Sequence, residues 1–150
     1  MFKRVVLATF LAAGMASAQT SYHSLGFNFS TVSGAGVSYR FHTAGRSLVQ
    51  ITASAFDTGD DTFSSVGFEY QYELSGHEAF RYYIPVGGGL YTNGKRTTVV
   101  GAGFGIEVPI LGEKIFEGVT VGGELFYPAL YFNDKNKVTF GGSVFLYYNF

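Results

Sequence analysis

The sequence predicts an all-β fold, an antiparallel up-and-down transmembrane barrel of about eight strands behind a cleaved leader. Three observations predict it. Apolar and polar residues alternate with period two through nearly the whole chain beyond residue 18. The composition is 47% hydrophobic and 18% aromatic, with only 14% charged residues. The chain closes on the aromatic strand Val138-Thr-Phe-Gly-Gly-Ser-Val-Phe-Leu-Tyr-Tyr-Asn-Phe150. Globular chains carry about 25% charged residues, so this one is unusually apolar. Past the leader, however, no apolar run approaches the roughly 20 residues of a membrane helix. Apolarity dispersed in short alternating pieces is what barrel strands carry when one face meets lipid and the other a lumen.

The amino terminus comes first. Lys3 and Arg4 precede the apolar run 5–13, Gly14 breaks it, and Ala16-Ser17-Ala18 has the small-x-small form of a cleavage site. Residues 1–18 are read as a signal peptide and 19–150 as one domain. Removing Lys3 and Arg4 leaves eight basic residues against 11 acidic ones. Those basic residues are scattered, so no nucleic-acid footprint is expected. With 0 Cys, the fold closes without disulfides and offers no Cys-based zinc site. Neither a metal nor a cofactor is expected.

Eight strands follow, at 22–31, 37–43, 48–56, 64–74, 81–91, 98–108, 119–131 and 138–150. Turn residues separate them: Ser33-Gly-Ala-Gly36, Ala44-Gly-Arg46, Asp57-Thr-Gly-Asp-Asp61, Ser75-Gly-His77, Thr92-Asn-Gly-Lys95, Leu111-Gly-Glu-Lys114 and Asn133-Asp-Lys-Asn136. Gly and Asn supply the positive φ that such turns need. At about 9–11 residues per crossing, ten strands would leave almost nothing for connections, and an even number puts both ends of the domain on one side. The apolar face reads Leu25/Phe27/Phe29, then Val37/Tyr39/Phe41, Val49/Ile51 and Val66/Phe68/Tyr70/Tyr72. It continues through Tyr82/Ile84/Val86, Val100/Phe104/Ile106/Val108, Val119/Val121/Leu125/Tyr127/Tyr131 and Val138 to Phe150. No acid or base falls on it.

Alternation alone does not say which face points outward, since a secreted lipocalin-like carrier would put the apolar face inside. The polar face decides for the membrane. A water-exposed exterior carries many charges of both signs, whereas this face is mostly Gly, Ser and Thr with isolated ionisable groups. Small residues suit the narrow lumen of an eight-stranded barrel. The ionisable lumen set is Arg40, His42, Glu69, Glu73, Arg81, Glu107 and Glu124. Glu73 and Arg81 flank one hairpin with matching parity and are expected to pair across it. The set reads either as a salt-bridge plug or as a conducting polar core, and the narrow lumen favours the plug. Tyr72, Tyr82, Tyr148 and Phe150 at one rim, with Tyr131 and Phe132 at the other, are expected at the membrane interfaces, where aromatic rings meet both lipid and water.

The chain resembles the small outer-membrane barrels of the OmpA/OmpX type. The resemblance rests on the overall pattern of 19–150, on Gly101-Ala-Gly-Phe-Gly-Ile-Glu107, and on Gly122-Gly-Glu-Leu-Phe-Tyr127. It implies a location in the outer membrane of a double-membraned bacterium. The partners it implies are the bilayer with its outer-membrane lipids and the outer-membrane assembly machinery, for a chain that acts as a monomer. Leu146, Tyr148 and Phe150 resemble the terminal signal that such machinery reads, although Phe145 stands where that signal usually has glycine.

The function expected is a non-enzymatic envelope barrel with a plugged lumen, with which weak solute or ion leakage is compatible. Some barrels of this kind remodel lipid A with a His, a Ser and an acid, and that is the alternative reading. Here the candidate bases are His23, His42 and His77. His23 and Ser24 point to opposite faces, His77 falls in a turn on the side away from the outer leaflet, and no His-x-Ser pair stands near the carboxyl terminus. The catalytic set is therefore read as empty.

Overall fold

The computed structural model describes residues 22–43, 45–57, 62–77, 79–111, 118–133 and 136–150. The expected leader and most of the predicted turns at 57–61, 111–114 and 133–136 lie outside the described residues. The elements are β1 Tyr22–Ser30, β2 Ala35–His42, β3 Ser47–Asp57, β4 Thr62–His77, β5 Phe80–Asn93, β6 Lys95–Leu111, β7 Gly118–Phe132 and β8 Lys137–Asn149. Each pairs antiparallel with its sequence neighbours, and β1 pairs with β8, so the sheet is a closed eight-stranded barrel. Closure satisfies every strand edge, which is the condition for placing strands in hydrocarbon.

Strands β4 to β7 run beyond the predicted spans, because polar residues at their ends keep pairing. Thr92 faces Arg96 and Asn93 faces Lys95 across a turn at Gly94, whose φ of 69° explains the glycine.

The sheet register turns the alternation into an inside and an outside. Phe27, Phe68, Phe104, Leu125, Val144 and Phe150 are all exposed, whereas Arg40, Gln50, Glu69, Gln71, Arg81 and Glu107 are all at most 2% exposed. This is the reverse of a soluble carrier's arrangement, and the membrane barrel is its physical counterpart.

Parity is broken on β7, where it decides which residues reach the outer face. A bulge between Phe126 and Ala129 spans Tyr127-Pro128, where proline has no N–H to donate to the ladder. Leu125 and Tyr127 point outward, but Ala129, beyond the bulge, points inward and is fully buried.

Candidate functional site

The lumen is filled by side chains. Its centre is Glu107, which accepts from Arg40 Nη1 at 3.1 Å on Oε1 and from Arg81 Nη2 at 2.7 Å on Oε2. Thr120 Oγ1 also donates to Oε1, at 2.6 Å. Register explains the second ion pair directly, because Arg81 and Glu107 are cross-strand partners on β5 and β6. Arg40 reaches Glu107 from β2, across the lumen.

Each guanidinium is also held by rings and amides. Arg40 Cζ lies 3.6 Å from the Tyr147 ring centroid and 4.2 Å from that of Phe145, and Arg81 Cζ lies 4.3 Å from that of Tyr83. Such cation–π contacts gain strength away from water. Arg40 Nε donates to Gln50 Oε1 at 2.7 Å, and Arg81 Nη2 to Gln71 Oε1 at 2.7 Å. From Gln71 the network continues to the other two carboxylates. Gln71 Nε2 donates to Glu69 Oε1 at 2.6 Å and to Glu124 Oε1 at 3.2 Å. Tyr83 OH donates to Glu124 Oε1 at 2.8 Å, and the Ser143 hydroxyl donates to Oε2. The Tyr83 ring lies on Gly105, where a Cβ would come within 2.7 Å of the phenol oxygen, so only glycine leaves room there.

Of the seven ionisable residues expected in the lumen, Arg40, Glu69, Arg81, Glu107 and Glu124 are tied together by these contacts. His42 is buried beside them, near the end that carries both chain termini, where its Nε2 lies 3.1 Å from Ser24 Oγ. For the seventh residue, Glu73, it is the expected pairing with Arg81 that is corrected. Glu73 is half-buried at the termini end and faces Tyr83, whereas Arg81 faces Gly76, so the expected pairing across the hairpin does not form. Arg81 pairs instead with Glu107, its register partner on β6.

Among the rim aromatics, Tyr72, Tyr148, Phe150 and Phe132 are exposed, and Tyr82 stacks on Phe104 along the outer wall at 5.7 Å. Tyr131 is the exception. Lying beyond the β7 bulge, it turns inward, packs against Val32, Val99, Phe126 and Ala129, and donates its hydroxyl to Thr31 O at 3.3 Å.

Sequence reasoning missed Ser24, Phe145, Tyr147 and Asn149 as parts of this core. Phe145, Tyr147 and Asn149 share the inward face of β8, so the parity of the last strand already carried the signal.

The Ser24–His42 contact does not form a nucleophile and base. Ser24 Oγ donates its single hydrogen to Asn149 Oδ1 at 2.6 Å, so His42 Nε2 is left to donate to Ser24 and does not draw its proton. His23 lies on the outer wall, its ring against Phe41 and Phe150 and its Nδ1 bonded to the Tyr39 hydroxyl. His77 closes β4 opposite Phe80. The three histidines are thus in separate places. Among the described residues, no cluster of His, Asp and Glu is arranged to hold a metal ion.

Neither a protein-family model nor a curated relative matches the chain. Among solved structures, it is similar to the crystal structure of the N-terminal β-barrel domain of Pseudomonas aeruginosa OprF. The identity is 12% and the TM-score 0.59, over 88% of this chain and 98% of that one. The chain shares the closed, antiparallel eight-stranded barrel fold of that domain, and at this identity the likeness is one of fold.

Proposed function

We propose that the chain is a non-enzymatic outer-membrane barrel that contributes to envelope structure and whose lumen is shut by the Arg40–Glu107–Arg81 network. The observation that carries this reading is the inverted amphipathicity of the barrel. Large apolar side chains such as Phe27, Phe104 and Leu125 cover its outside, and five linked ionisable groups fill its inside. An outside of that kind has hydrocarbon as its natural solvent, and only a closed barrel or a helix satisfies its backbone there. The leader-like amino terminus and the aromatic terminal strand support export and insertion, and the barrel likeness to the OprF domain supports the same class.

The plug is favoured over an open pore because both arginines are matched by carboxylate, amide and ring partners. A buried charge that loses such partners is costly, so the resting state is closed. Among the described residues, Arg40 Nη2 and Arg81 Nε find no hydrogen-bond partner, so the network is not fully saturated.

The test is fractionation of cells expressing the full chain, followed by electrophoresis of the detergent extract with and without boiling. A membrane-fraction protein whose folded form migrates faster until it is boiled supports the reading. Recovery in the soluble periplasmic fraction would defeat it.

A further inference from the structure

Hairpin connections usually run over the surface with their polar side chains in water. The connection between β1 and β2 does the opposite. Within Thr31-Val-Ser-Gly34, Val32 is fully buried and Ser33 nearly so. The segment folds into the mouth of the barrel at the end opposite the chain termini. There Val32 joins Val99, Phe126 and Ala129 in an apolar cluster flanked by Tyr91 and Tyr131.

The barrel wall is shaped to receive it. A Cβ at Gly67 on β4 would run into the Ser33 carbonyl, and one at Gly141 on β8 would come within 2.6 Å of a Val32 methyl group. The backbone is tied down as well. Thr31 N donates to Gly142 O at 3.0 Å, and Val32 N and Ser33 N donate to Ser30 Oγ at 3.1 and 3.0 Å. Tyr91 holds both ends of the segment, because its hydroxyl donates to Ser30 O at 2.7 Å and accepts from Gly34 N at 2.8 Å.

We propose that the chain is a gated channel with two barriers in series: the charged layer, and a dry seal made by the Thr31–Gly34 loop with Tyr91 as its latch. The inference rests on the membrane-barrel reading above and adds the route by which the lumen opens. The two barriers have different chemistry. Charged layers yield when a counter-ion is removed, whereas an apolar constriction stops ions by excluding water. Neutralising the charged layer alone therefore leaves the channel shut, and withdrawal of the loop is required for conduction.

The chain has 0 Cys, so a single introduced thiol reports cleanly on the loop. The experiment uses the mature chain refolded into planar bilayers and liposomes, with the heat-dependent shift in migration checked for every variant. Val32→Cys is treated with a cationic methanethiosulfonate alongside exposed Asn136→Cys. The Val32→Cys thiol is expected to react far more slowly, and adding Tyr91→Phe should speed it by about tenfold, the population shift from losing two hydrogen bonds. Conductance of Arg81→Ala with Tyr91→Phe should exceed that of either single variant by at least about tenfold. If Arg81→Ala does not fold, Arg81→Met retains the packing and takes its place.

The proposal is overturned if Val32→Cys reacts as fast as Asn136→Cys, if Tyr91→Phe leaves its rate unchanged, or if the Arg81 variant alone conducts as well as the double variant. A wild-type chain that never shows the heat-dependent shift would overturn the membrane reading itself, which separates that failure from failure of the seal.

Discussion

The guanidinium of Arg40 lies over the ring of Tyr147, 3.6 Å from its centroid, and reaches past it to the Glu107 carboxylate at 3.1 Å. The two residues come from β2 and β8, which both flank β1, so the contact bridges over β1 from inside the barrel. Tyr147 in turn donates its hydroxyl to Ser38 Oγ at 2.6 Å, which fixes the ring under the cation. The barrel is therefore braced from within by a charge held between an aromatic plate and a shared carboxylate.

Glu107 is the point on which both arginines depend. Its replacement by Ala leaves two buried cations without their ion-pair partner, and breaking a buried pair costs about 3–5 kcal/mol. Urea unfolding of Glu107→Ala in liposomes is expected to show a loss of that order. Wild-type stability in this variant would mean that the charged layer does not hold the barrel.

Tyr147→Phe keeps the ring over Arg40 and removes only the hydroxyl. The loss should be about 0.5–1.5 kcal/mol, the net worth of one buried hydrogen bond, whereas Tyr147→Ala removes the plate as well and should cost several times more. Equal losses in the two variants, measured by the same unfolding assay, would show that the cation–π contact contributes nothing.

Phe104 is 49% exposed on the outer wall. Phe104→Arg places a cation in hydrocarbon and is expected to cost about 2–4 kcal/mol at mid-bilayer depth, falling towards zero near the interfaces. A polar replacement of the lumen residue Thr52 should cost less than this. Equal tolerance of both changes in bilayer folding would contradict the assignment of the faces.

The terminal strand closes the barrel through paired backbone bonds, Phe150 N to His23 O at 2.9 Å and His23 N to Phe150 O at 3.2 Å. Tyr148 and Phe150 stack on each other along the outer rim. Replacing both by Ser removes this rim anchor and should lower membrane-assembled protein in cells, read by the heat-dependent shift. Unchanged levels would count against the role of the strand. Phe145→Gly is the complementary case. It makes the terminus more similar to the usual insertion signal but removes a ring from Arg40, so folded stability should fall even where assembly does not.

The barrel and its two faces were legible in the sequence because period-two alternation is strict along most strands and one face is free of charge. What escaped the sequence are departures from that period. The β4–β5 register sets Glu73 against Tyr83 while the β5–β6 register sets Arg81 against Glu107, and the β7 bulge turns Tyr131 inward. A bulge adds one residue to one strand and reverses the later assignments on it, and the alternation itself does not mark where it falls. The inward loop was equally hidden. Val32 reads as a lone apolar residue in a turn, and the glycines that receive the segment, Gly67, Gly89, Gly101 and Gly141, lie on four other strands.

The central claim is that this barrel is turned inside out and sits in lipid, and the absence of Trp from the chain allows a direct test. With 0 Trp in the sequence, a single indole can be introduced at outward Phe104 or at inward Tyr147. The measurement is indole fluorescence after refolding into bilayers with and without brominated acyl chains. Strong quenching of Phe104→Trp by brominated lipid, with Tyr147→Trp nearly unaffected, is the result expected. Quenching of Tyr147→Trp with Phe104→Trp unaffected, or quenching of neither, would contradict the account.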